Sequence, residues 1–162
     1  MPIQDAQRKI VELYREQELV IADLYERFAG RFPKYADFWT GLASEEREHA
    51  GWVEHLLHQT ATDSVTFDEG KIRSLALTTS INYVQNLITS FDLAPFDLKK
   101  ALSCTVDLEK SLIEKNVFDR FSGDSPEVSK LLSILAESQL VHIKAIEKKV
   151  AEIRARFAET AR

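Results

Sequence analysis

Breaks are scarce in this chain, and that scarcity limits its fold more than any other feature. Only five glycines and four prolines occur in 162 residues, and most stand where apolar periodicity lapses: Gly30 and Pro33, Gly70, Pro95, Gly123 and Pro126. Between those points apolar residues recur every three to four positions, the period of a helix with one buried face. In the first stretch Val11, Tyr14, Ile21, Tyr25 and Phe28 share a face, with Arg8, Glu12, Arg15, Asp23 and Arg27 opposite. A helix over 2–30 would be about 40 Å long, which suits a bundle.

The same reading predicts further helices at about 34–59, 96–121 and 126–157. Phe38, Leu42, Ala43, Val53, Leu56 and Leu57 form the inner face of the second. Ser125-Pro126-Glu127 is a helix-start signal for the fourth. Residues 60–95 read as a loop, "TATDSVTFDEG", and then a short helix near 79–91 with Ile81, Val84 and Ile88 as its packing stripe. A connection of about 35 residues is too long for a turn but can travel the height of a bundle. The expected fold is therefore all-α: one domain over 1–162, two helical hairpins joined by a crossover, as in ferritin-like four-helix bundles.

Charge and composition exclude several function classes. The net charge of −5 leaves no basic face for nucleic acid. No apolar run approaches the roughly 18 residues that span a bilayer. The single cysteine, Cys104, excludes a disulfide framework and any four-cysteine metal centre. The N-terminus is charged from the start and carries no signal-type apolar segment, which predicts a cytoplasmic protein.

The two predicted hairpins resemble each other. Leu42-Ala43-x-x-Glu46-x-x-His49 aligns with Leu135-Ala136-x-x-Gln139-x-x-His142. Glu18 precedes Glu46 by 28 positions, and Glu109 precedes Gln139 by 30. Both upstream glutamates lie on apolar stripes: Glu18 among Val11, Tyr14, Ile21 and Tyr25, and Glu109 among Leu102, Val106, Leu112 and Ile113. A carboxylate left alone on such a face costs several kcal/mol or takes up a proton. A divalent cation is the economical partner. Three residues along a helix put a glutamate and a histidine on one face, so each repeat can offer an oxygen and a nitrogen to the same ion. Carboxylates with two imidazoles suit iron or manganese, with zinc as a further alternative.

The stretch "ELVIADLYERFA" (18–29) followed by "EEREHA" (45–50) resembles the ferritin-like domain of rubrerythrins. That family carries a glutamate, a tyrosine seven residues on, then Phe-Ala, and Glu-x-x-His-Ala in the next helix. The similarity is strongest over 10–57 and traceable over 101–146; the crossover carries no motif. It implies a di-iron bundle, dimeric or larger, that reacts with peroxide or dioxygen. Its ligands would be Glu18, Glu46, His49, Glu109 and His142. The chain departs from the family at Gln139, a weak or lost ligand, because an amide oxygen is neutral and cannot bridge two irons. Glu137 stands about 140° around the helix from His142 and does not replace it. One cysteine cannot build a rubredoxin domain within these residues, so electrons would be expected from an external donor or from ferrous iron itself. The expected activity is oxidation of Fe(II), for oxidative-stress defence or iron handling. The alternative is a structural or interaction bundle with a degenerate or single-metal site.

Each feature also has a plainer reading. "EEREH" alone suits a solvated helix surface, and Gln139 with His142 suits a core histidine bonded to an amide. Tyr25 is placed either to donate to a ligand carboxylate or simply to pack. His55 and His58 fit the partial negative charge of a helix C-terminus. Cys104 reads as a small packing residue, and Trp39 and Trp52 as core or as anchors of a homodimer. Arg47 and Glu48 face solvent, and Glu45 has no assigned role.

Overall fold

The computed structural model describes residues 3–61, 65–111 and 117–160. Among them the chain is all-α apart from one two-stranded ribbon. The helices are α1 (Asp5–Arg31), α2 (Ala36–Thr60), α3 (Ser74–Leu93), α4 (Leu98–Ser111) and α5 (Pro126–Thr160). Strands β1 (Val65–Phe67) and β2 (Phe121–Gly123) pair antiparallel, with Thr66 opposite Ser122. No helix of the described residues is long and apolar enough to cross a membrane.

Local chemistry sets the helix ends. α1 runs through Gly30 to Arg31 and stops before Pro33, whose ring disfavours helical backbone at Phe32 (φ −120°, ψ 71°). Pro33 opens a 3₁₀ turn, Pro33–Tyr35, that leads into α2. At the start of α5 the Ser125 hydroxyl accepts the Val128 N–H at 3.2 Å, the cap that the Ser-Pro-Glu signal predicts.

The segment between α2 and α4 departs from expectation in two ways. Its helix is α3, 20 residues long, rather than a short piece near 79–91. It packs along α1: Gln17 Nε2 donates to Ser80 Oγ at 2.9 Å, the Phe28 and Phe91 rings stand 5.2 Å apart, and Arg27 pairs with Asp92 at 3.0 Å. The preceding loop holds β1. Gly70, at φ 52°, turns the chain out of that strand in a conformation glycine adopts without strain.

The predicted third helix, 96–121, is also corrected. α4 is described over Leu98–Ser111; residues 112–116, with Leu112 and Ile113, lie outside the described residues. Beyond them the chain forms a 3₁₀ turn, Phe118–Arg120, and then β2. Phe118 and Phe121 fit a helical period, but tertiary packing places them otherwise. Phe121 lies 4.9 Å from Phe67 across the ribbon, and both rings are buried.

The interior is divided. One apolar cluster surrounds Phe28, with Trp39, Phe91, Phe96, Leu102 and Val150. The other holds Val11, Tyr14, Leu56, Phe118, Leu132 and Leu135. On α1 the first begins at Val20 and the second ends at Tyr14; on α2 they end at Ala43 and resume at Val53; on α5 they are separated between Leu135 and Ile146. The gap falls at the same level on all three helices. Trp39 belongs to the core, and its indole donates to Thr105 Oγ1 at 3.0 Å. Cys104 is half-buried against the Phe28 cluster, and burial, with Asp107 nearby, pushes its thiol up to about 11.

Candidate metal centre

Buried polar side chains fill the gap between the clusters. α1 supplies Glu18 (0% exposed), α2 supplies Glu46 (2%), and α4 supplies Glu109 (4%). His49 on α2 and Gln139 with His142 on α5 complete the layer, and each Glu/Gln–His pair keeps the three-residue spacing that puts both on one face.

Glu46 sits between the two histidines. His49 Nδ1 lies 3.5 Å from Glu46 Oε2 and 3.6 Å from Glu18 Oε2. His142 Nε2 lies 3.5 Å from Glu46 Oε1 and 3.5 Å from Glu109 Oε2. Two triads result, Glu18–Glu46–His49 and Glu46–Glu109–His142, each with ligand atoms within 4.8 Å of one another. They share Glu46, one oxygen to each side. The imidazole rings stand 5.9 Å apart at 83°. Tyr25 Oη donates to Glu109 Oε1 at 2.5 Å and so orients that carboxylate.

These groups can hold a metal ion. Donor atoms 3.5–3.6 Å apart are too distant for a good hydrogen bond. Two ligands of one ion, each bonded at about 2.1 Å, naturally take such a separation. Glu18 Oε1 and Oε2, Glu46 Oε1 and His142 Nε2 are buried with no hydrogen-bond partner. Leaving such atoms unsatisfied costs on the order of 1–3 kcal/mol each, and more when charged.

Protons hold the centre together without an ion. Burial, and then the charge of Glu46, raise Glu18 well above the usual carboxylate range. Burial also acts to raise Glu46, but its polar neighbours Glu18, His142 and His49 outweigh it and hold that carboxyl low. Burial raises Glu109, while His142 and Tyr25 oppose it. Burial alone would lower the two histidines. The neighbouring carboxylates of Glu18 and Glu46 instead lift His49 to about 10, and those of Glu109, Glu45 and Glu46 lift His142 to about 12. Both imidazoles are therefore cationic at neutral pH. The carboxylates that would bind an ion bind protonated histidines instead.

The structure brings together Glu18, Glu46, His49, Glu109, His142 and Tyr25. Gln139 is 6% exposed, and its Oε1 is buried without a hydrogen-bond partner. Glu137 is exposed and stays outside the buried layer. Arg47 faces solvent as expected and pairs with Glu26 at 2.8 Å. His55 and His58 are exposed near the end of α2, away from the centre. One residue had no sequence signal: Glu45, half-exposed on α2, places a carboxylate oxygen against Nδ1 of His142. Its partner lies on a distant helix, and nothing in the local pattern of α2 marks it. A cleft of about 610 Å³ between α2 and α5, lined by Glu45, Glu48, Trp52 and Val141, reaches His49 and His142 from solvent. No family model, curated protein or solved structure matches the chain.

Proposed function

We propose that this chain is a ferritin-like, rubrerythrin-like non-haem protein that binds two iron ions and oxidises Fe(II) with peroxide or dioxygen. The observation that carries the reading is the shared carboxylate: Glu46 offers one oxygen to each of two Glu–His groups. Iron would supply one-electron oxidation at two adjacent sites, matching the two-electron, two-proton reduction of hydrogen peroxide to two waters.

The residues serve that chemistry in distinct ways. Glu46 holds the two halves in one unit. Glu18 and Glu109 bring further negative charge, and Tyr25 orients Glu109. His49 Nδ1 and His142 Nε2 give up protons when they become ligands, so loading and proton release are linked. The cleft admits small oxidants to the histidine side while the apolar clusters keep water from the rest. A homodimer, an external electron donor and a cytoplasmic location belong to the same proposal. Exposed Ile134, Leu140 and Val141 on α5 offer apolar surface that a second copy would cover.

Gln139 favours a second reading: a single ion on Glu18, Glu46 and His49, or a bundle whose site has decayed. Anaerobic Fe(II) loading followed by Mössbauer spectroscopy separates these. A magnetically coupled iron pair after oxidation is expected. One uncoupled iron per chain would replace the leading reading with the single-ion site. Wild-type protein that retains no more iron than Glu18→Ala would overturn both metal-binding readings and leave the bundle whose site has decayed.

A further inference from the structure

We propose that Glu45 is the positioning residue of the α5 half of the centre, holding His142 by Nδ1 so that Nε2 faces Glu46 and Glu109. The role rests on the metal reading above; the contact itself does not.

The two histidines are held differently. His49 turns Nδ1 inward, toward Glu18 and Glu46. His142 turns Nε2 inward, and its Nδ1 meets the Glu45 carboxylate. Among the described residues no carboxylate holds the outer nitrogen of His49 in this way. Neighbouring residues of α2 thus grip one ring of α5 from two sides, Glu45 at one nitrogen and Glu46 at the other. A carboxylate on the outer nitrogen fixes the ring's orientation, keeps the proton there when the inner nitrogen binds an ion, and strengthens the inner nitrogen as a donor.

The grip falls on the half of the centre that needs it. The repeat places glutamine, not glutamate, beside His142. Glu18, Glu46 and Glu109 carry three negative charges against the four positive charges of two divalent ions. Glu45 supplies the fourth, one residue removed from the ions. Its side chain is 50% exposed, so replacing it leaves the apolar clusters intact.

The test uses Glu45→Ala and Glu45→Gln, with Glu48→Gln as a control that removes another cleft carboxylate. In metal-free protein, imidazole NMR should show a downfield, hydrogen-bonded Nδ1 proton on His142 that disappears in Glu45→Ala while the His49 signals stay. In Co(II) titrations followed by visible absorption, the second equivalent should weaken about 10- to 100-fold in Glu45→Ala. The first should be unchanged, and Glu48→Gln should match wild type. An unaltered second equivalent in Glu45→Ala, with normal uptake by wild type, overturns the positioning role alone. Equal weakening in Glu48→Gln also overturns it, in favour of general surface charge. No Co(II) uptake by wild type overturns the metal reading and the role together, while the NMR signal still decides the contact.

Discussion

Tyr25 on α1 and Glu109 on α4 are joined by a 2.5 Å hydrogen bond although 84 residues separate them in sequence. The bond is buried at both ends. Tyr25→Phe removes the donor and leaves a buried carboxyl oxygen without its partner. Metal-free Tyr25→Phe should lose about 1–3 kcal/mol of unfolding free energy. The Glu109 carboxyl should titrate higher, because the tyrosine opposes the rise that burial causes. Urea unfolding and carboxyl NMR check the two outcomes.

Metal uptake should release protons. His49 and His142 carry raised values, about 10 and about 12, so both are protonated at pH 7 and an ion must displace those protons. Apparent affinity should therefore rise with pH between 6 and 9, with about one proton released per histidine bound. Calorimetry of Co(II) binding in buffers of different ionisation enthalpy measures this directly. A pH-independent affinity would show that the histidines are not ligands.

Metal-free stability should fall as pH rises. The folded values of both histidines lie above the unfolded value of 6.5, so their contribution is complete below pH 6.5 and is lost progressively as pH climbs, through about 10 for His49 and about 12 for His142. Glu18, also raised, acts in the same direction, from 4.5 upward. Glu46 is depressed and acts oppositely, its contribution fading only as pH falls below 4.5. The melting temperature of metal-free protein should thus decline from pH 6.5 to 9.5. Scanning calorimetry across that range tests the sign.

Gln139→Glu should have opposite effects on the two forms. Without metal, a further buried carboxyl costs several kcal/mol or takes up a proton. With metal, the restored charge should tighten the second ion by at least about tenfold, as added charge-bearing ligands do. Chemical denaturation of the metal-free variant and competition with a chelator on the loaded one report the two changes. A variant that is more stable without metal and no tighter with it would contradict this account of the layer.

Helical register made most of the buried layer legible. Glu18 and Glu109 stand out because apolar residues surround them at one-turn spacing, and Glu46 and His49 because Leu42 and Ala43 show which face turns inward. Their meeting at one level follows from the internal repeat. The helical period could not separate Phe118 and Phe121 from a continuing helix, since their placement depends on Phe67, more than fifty residues away. The start of α3 is hard to read from sequence for a related reason: its first turn, Ser74–Leu77, is buried only at Leu77 and shows little periodicity of its own. Glu45 was illegible outright. An exposed position beside a buried one gains its partner only when another helix arrives.

The division of the interior has a consequence for how this molecule comes apart. Two apolar clusters joined through a polar layer behave as cores in series, and cooperativity between them depends on what fills the layer. With protons alone binding Glu18, Glu46 and the histidines, the Phe28 end and the Phe118 end can loosen at different temperatures. An ion bonded to α1, α2, α4 and α5 at once would make them melt as one.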